Sequence, residues 1–184
     1  MRVSRKQVAA NRDAIVEAAG KLFRAKGFDA VTVAEVMRAA GMTHGGFYGY
    51  FKTKDDLFAA AMAQSLEEVV RTYPTLGERA ARYLTAQHRD DMAGGCPVAA
   101  LAGEMPRHPG AARAEMTGAL RAQIDRIATT TQGEDEAARR RAAIGSWSAM
   151  VGALILSRMS DDPGLGDEIL ESTRAWLDAT DRPS

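Results

Sequence analysis

Apolar residues recur at helical spacing through most of this chain. Ile15, Ala19, Leu22 and Phe23 fall at i, i+4, i+7 and i+8, which is one stripe of a helix. Gly27 stops that helix behind a last turn carrying Arg24 and Lys26, the charge that a helix C-terminus favours. Thr32-Val33-Ala34-Glu35 has the form of a capping box, so a second helix starts at Val33, and Gly41 ends it. Thr43 is placed to cap a third helix running to about Phe51. A fourth starts near Thr53, with Asp55 and Asp56 in its first turn, and reaches about Thr72, ahead of Pro74. Beyond it, Gly94-Gly95, Pro106 to Pro109, Gly133 and Pro163-Gly164 act as breaks between helices over 76–91, 97–105, 110–131, 134–159 and 166–179. Alternating Val/Ile/Thr runs are not seen, and the pattern predicts an all-α fold.

The second and third of these helices, joined by a glycine turn, have the proportions of a helix-turn-helix. Phe47 and Phe51 stand four residues apart and face the core; Thr43, His44, Tyr48 and Tyr50 lie off that stripe and are free to meet a major groove. Charge sharpens this picture. Residues 1–54 hold ten Lys/Arg and four acids, a balance of +6, and the remaining 130 residues hold 14 Arg and 20 acids, a balance of −6. A basic end on an acidic body points to a polyanion at the end alone. The expected organisation is a DNA-binding domain over 1–54 and a helical regulatory, ligand-binding and dimerisation domain over 55–184.

The pieces Phe23-Arg24-Ala25-Lys26-Gly27-Phe28, Thr32-Val33-Ala34-Glu35-Val36, Ala40-Gly41-Met42 and Gly46-Phe47-Tyr48-Gly49-Tyr50-Phe51-Lys52-Thr53-Lys54 occur in an order and spacing that resembles the DNA-binding domain of the TetR family over about residues 11–58. The resemblance implies that Thr32 holds a phosphate at the N-terminus of the bracing helix. It places Thr43, His44 and Gly45 at the groove-facing start of the recognition helix, Tyr48 and Tyr50 on the sugar-phosphate backbone or in part on base edges, and Lys54 on a phosphate. Arg2, Arg5 and Lys6 would form a basic arm. It also implies a homodimer on a pseudo-palindromic double-stranded DNA operator, acting as a repressor and released by a small-molecule inducer. Three glycines in the recognition segment depart from a good helix former, each costing about 1 kcal/mol relative to Ala.

The 134–159 segment is apolar or small on all sides from Ala142 onward, so it needs two partners. One is its own core. The other, by the same resemblance, is a second subunit meeting Gly145, Ala149, Gly152 and Leu156, with Ile169, Thr173 and Trp176 of the last helix. Met62, Tyr83, His88, Cys96, Met116 and Trp147 are candidates to line an apolar, methionine-rich effector pocket. Cys96, the single cysteine, sits at the predicted start of a helix, where a thiol's pKa falls. It resembles the Gly-Cys helix starts of TetR-type regulators that sense electrophiles or oxidants, which gives a thiol-sensing alternative.

The three histidines lack metal-ligand spacing, although a site built from Cys96, His88 and His108 is conceivable. No phosphate loop or nucleophile elbow occurs, and the expectation is neither an enzyme nor a protein with a cofactor. A purely helical interaction module is the remaining class. No apolar run reads as the roughly 20 residues of a membrane span, and no apolar segment follows the basic N-terminus, so a cytoplasmic protein with no membrane partner is expected.

Overall fold

The computed structural model describes residues 4–69, 74–108 and 110–180, and among these there is no strand. The described residues form nine α-helices in order: α1 (Arg5–Lys26), α2 (Val33–Ala39), α3 (Lys54–Val69), α4 (Leu76–Tyr83), α5 (Ala86–Asp90), α6 (Pro97–Leu101), α7 (Ala111–Ala128), α8 (Glu136–Met159) and α9 (Pro163–Thr180). Two 3-10 helices, His44–Gly49 and Met105–Arg107, complete the set. Arg2 and the end of the fourth expected helix at Thr72 lie outside the described residues. Arg5 and Lys6, expected in a free arm, instead form the first turn of α1, which Ser4 caps by accepting from Gln7 N at 3.1 Å.

The start and stop signals at Gly27, Thr32, Gly41 and Thr53 operate as read. Gly27 takes φ 81°, and its N–H returns to the Phe23 carbonyl. Thr32 Oγ1 accepts from Glu35 N at 3.2 Å. Gly41 takes φ 72°, and Met42 N donates back to Met37 O at 2.8 Å, which closes α2 and turns the chain. Thr53 and Asp56 bond reciprocally, each side chain accepting from the other's backbone N–H, at 3.0 and 3.1 Å.

Four expectations are corrected. The recognition segment is a 3-10 helix ending at Gly49, not an α-helix to Phe51, and Thr43 makes no side-chain cap. Glycine at three of its six positions removes the propensity that would hold an α-helix, and the tighter i→i+3 bonds of Gly46 N to Thr43 O and Tyr50 N to Phe47 O take over. The 76–91 segment divides in two because Thr85 turns extended (φ −132°, ψ 150°) and caps a new helix through His88 N. The 97–105 segment ends as α-helix at Leu101 and resumes as the Met105–Arg107 3-10 turn. Pro163-Gly164 is a helix start rather than a break: Asp162 Oδ1 accepts from Gly164 N at 2.8 Å, and proline occupies the first position, where its missing N–H costs nothing.

Two apolar clusters build the interior. The first runs from Ile15, Phe23, Met37, Phe47 and Phe51 through Phe58 and Met62 of α3 to Leu101, Met105 and Met116, so α3, α6 and α7 share one core with the helix-turn-helix. At its centre Phe23, Phe28 and Phe58 meet edge-on or stacked within 5.7 Å, and the His108 ring closes on Phe28 at 4.4 Å. The second cluster joins Leu76, Leu84, Ile127, Trp147, Met150, Leu154, Leu170 and Leu177 across α4, α7, α8 and α9. α8 is long and apolar enough, by length and composition, to cross a membrane, contrary to the reading that no run approaches that size. Its Ala143, Trp147, Met150 and Leu154 face is buried in this second cluster.

Candidate nucleic-acid interface and an adjoining cleft

The turn at Gly41 presents the 3-10 helix on the outside of the N-terminal module. Phe47 and Phe51 anchor it from beneath at 1% and 5% exposure, the inward stripe that their spacing predicts. Thr43, His44 and Gly45 are exposed, and Tyr48 is 73% exposed with its ring edge against Phe47. A Cβ at Gly45 or Gly49 would meet nothing, so backbone as well as side chain is open to a partner here. Tyr50 differs: it is half-buried, and its hydroxyl accepts from Asn11 Nδ2 at 2.9 Å, which ties the 3-10 helix to α1. Lys54 is half-buried as well. Its ammonium lies 4.1 Å from the centre of the Phe28 ring and donates to the Phe28 carbonyl at 2.6 Å. Thr32 stays exposed at the start of α2, and Lys52 is exposed beside Thr53. Sequence reasoning missed Asn11 and also Arg12, which lies over the Phe51 ring. The polar-face position of both on α1 was the only available signal.

The second site lies where α1 meets the C-terminal helices. A cleft of about 470 Å³ is lined by Arg24 of α1, Ser65 of α3, the α4–α5 segment, Gly94 to Cys96, Gln123 and Trp147. The structure brings together Tyr83, His88, Cys96 and Trp147 of the six candidates, and places Met62 and Met116 in the first core cluster instead. The lining is not methionine-rich. It carries Arg24, Arg79 and Arg82, which periodicity alone could not direct to a cleft. Arg24, at 6% exposure, donates to the Ser65 hydroxyl and to the Ala93 carbonyl, so a residue of the helix-turn-helix module forms one wall.

His88 is fixed by both ring nitrogens. Cys96 N–H donates to Nε2 at 3.1 Å, so Nδ1 carries the proton and donates to Tyr83 O at 2.7 Å. This neutral tautomer suits its surroundings, because burial, followed by the Arg158 charge, holds its pKa below the ordinary 6.5. Cys96 is buried, and burial raises its thiol above the usual range despite bonds from Tyr83 and nearby backbone. The expectation that a helix start would lower this pKa is therefore reversed: desolvation outweighs a five-residue helix. His108 sits in the aromatic cluster, and among the described residues no group of three His, Cys, Asp or Glu could hold a metal.

Residues 15–61 match the family model for bacterial regulatory proteins of the TetR family, and residues 73–173 match that for the tetracyclin repressor-like C-terminal domain. The chain belongs to the TetR family. This regulator is similar to the transcriptional repressor Rv1474c of Mycobacterium tuberculosis, at 34% identity over 37% of its own chain and 36% of that protein. It is also similar to the regulator AcrR of Shigella flexneri, at 34% over 32% and 27%. The chain thus spans about a third of the length of the curated relatives it matches. Whole-chain likeness comes from solved structures. A TetR regulator from Chloroflexus aurantiacus superposes at TM-score 0.77, with 21% identity over 95% of both chains. Escherichia coli NemR in its reduced form superposes at 0.68, with 18% identity over 92% and 97%. As a member of this family it is a transcriptional regulator whose N-terminal helix-turn-helix is a DNA-binding domain.

α8 and α9 pack on each other and keep part of their surface exposed. Gly145 is exposed, and Ala149 and Gly152 are half-buried; a Cβ at either glycine meets nothing within the chain. Leu156, Met159 and Trp176 are 55%, 75% and 56% exposed on the same two helices, while Ile169 and Thr173 are half-buried.

The His88 geometry carries a pH prediction for the regulator. A histidine whose folded pKa is depressed binds its proton more readily when unfolded, so stability falls as pH drops below about 6.5 towards the folded value. Thermal unfolding at about pH 7.5 and about 5.5 should show this loss. The His88→Asn protein should be less stable at the upper pH and show a shallower decline. Equal slopes in the two proteins would contradict a lowered His88 pKa.

Proposed function

We propose that the regulator binds a pseudo-palindromic operator as a homodimer, represses transcription in the cytoplasm, and leaves the DNA when a small molecule enters the Arg24 cleft. The observation that carries this reading is Arg24 itself. It belongs to α1 of the DNA-binding module, lines the cleft, and bonds to the Ala93 carbonyl beside it. A ligand that moves this guanidinium changes the seating of α1 on the C-terminal helices. A shift between subunit arrangements then needs only a ligand affinity that differs between them.

Thr43, His44, Gly45 and Tyr48 meet the groove, Thr32, Tyr50 and Lys54 serve the phosphates, and Gly145, Ala149, Gly152, Leu156, Ile169 and Trp176 serve the twofold contact. Lys54 exchanges its Phe28 carbonyl for a phosphate or shares its three donors between them. The module boundary near residue 54 is part of the same reading. The raised pKa and burial of Cys96 favour a ligand-lining thiol over a redox sensor.

Selection of bound duplexes from a random pool tests the proposal. It predicts an enriched inverted repeat, bound with an affinity that falls steeply between about 50 and 200 mM salt as counterions are released. Enrichment of no repeat, or salt-independent binding, would contradict it.

A further inference from the structure

We propose that the cleft takes a small organic carboxylate, an acid group on an aromatic body that also bears a hydrogen-bond donor. This inference rests on the reading of the cleft as the effector site. Trp147 and Gln123 line the cleft and are each only 5% exposed, yet Trp147 Nε1 and Gln123 Oε1 have no hydrogen-bond partner among the described residues. The Tyr83 hydroxyl is buried in the same cleft, against the Cys96 thiol. Buried polar groups are nearly always paired, and two that line one cleft say what chemistry would complete it. An indole N–H only donates, so Trp147 calls for an acceptor oxygen. The Gln123 carbonyl oxygen calls for a donor on the same molecule.

Charge selects an acid among the molecules that offer acceptor oxygens. Arg82 stands exposed at the cleft, and Arg24 and Arg79, both engaged by protein partners, add positive field behind it. Asp91 is the one carboxylate among the described lining residues, and its Oδ1 already accepts from Gly94 N at 2.7 Å. A cationic ligand would meet this field unfavourably, while a carboxylate gains charge-assisted bonds from guanidinium. The Tyr83 and Trp147 rings, 5.3 Å apart and inclined at 65°, offer the apolar surface on which a flat body packs.

The test uses the full-length protein with hydroxycinnamate and hydroxyphenylacetate, each beside its methyl ester, which keeps the body and removes the charge. The chain has two tryptophans, so its indole N–H spectrum gives two peaks. The acids should shift the Trp147 peak and leave that of Trp176, with affinities about tenfold or more above those of the esters. Arg82→Gln, a change at an exposed site, should narrow that preference to about threefold or less. Esters that bind as tightly as the acids, acids that leave the Trp147 peak unmoved, or a preference untouched in Arg82→Gln would each overturn the proposal. Parallel binding to the selected duplex separates the two readings. Acids that fill the cleft without releasing DNA would sink the effector reading alone. Esters that fill it and release DNA would sink the carboxylate alone.

Discussion

Replacing Gly152 by Glu is expected to convert the regulator into a folded monomer whose operator affinity is lower by about 100-fold or more. Within one chain the substitution is harmless. A Cβ at Gly152 meets nothing, and glutamate is the better helix former by roughly 0.5–1 kcal/mol. In the proposed dimer it would bring two carboxylates against a surface formed by Leu156, Met159 and Trp176, where burying an unpaired charge costs several kcal/mol. The DNA effect follows from geometry. Two recognition elements on one rigid dimer bind the second half-site at high effective concentration, and a monomer forfeits that gain. Sedimentation velocity and operator titration on the same sample check both halves of the expectation. A Gly152→Glu protein that remains dimeric would remove the α8–α9 face from the account.

Tyr48→Ala should lower operator affinity by about 100-fold with no change in unfolding temperature. At 73% exposure the side chain contributes little to the core beyond its edge contact with Phe47. In the proposed dimer–operator complex it would contribute twice. A lost contact of roughly 1.4 kcal/mol in each half-site is tenfold per site, and the two multiply. Tyr50→Phe serves as the contrast, because its hydroxyl already accepts from Asn11 and its ring is half-buried. Removing that hydroxyl should cost some stability and less affinity than the change at Tyr48. Comparable losses of affinity at both positions would mean that the two tyrosines share one role.

The N-terminal module was the most legible part of the sequence, because its signals are local. Thr32 with Glu35, Gly27 and Gly41 each settle a backbone hydrogen bond within five residues, and the Phe47–Phe51 pair points inward whatever lies elsewhere. The glycines of the recognition segment were visible, and their consequence, a 3-10 helix in place of an α-helix, is the propensity penalty carried to its end.

The cleft was only half legible. Tyr83, His88, Cys96 and Trp147 stand out as unusual residues in a helical body and do converge. Arg24, Arg79 and Arg82 read along the chain as ordinary helix-surface charges, and only tertiary packing turns Arg24 and Arg79 inward. Cys96 shows the same limit from the other side. Its place before a helix argues for a low pKa, but burial decides the sign, and burial is set by α8 and α7 far away in sequence. The division of 76–91 at Thr85 was missed because a threonine inside an amphipathic run carries no fixed meaning until its φ and ψ are known.

Hydroxyl-radical footprinting of the protein on its selected duplex tests the central claim most directly. Two protected patches on one face of the DNA, centred about one helical turn or roughly 34–36 Å apart and lost together in Tyr48→Ala, are the predicted result. A single uninterrupted patch, or protection that survives in Tyr48→Ala, would contradict a paired presentation of the 44–49 surface to the groove.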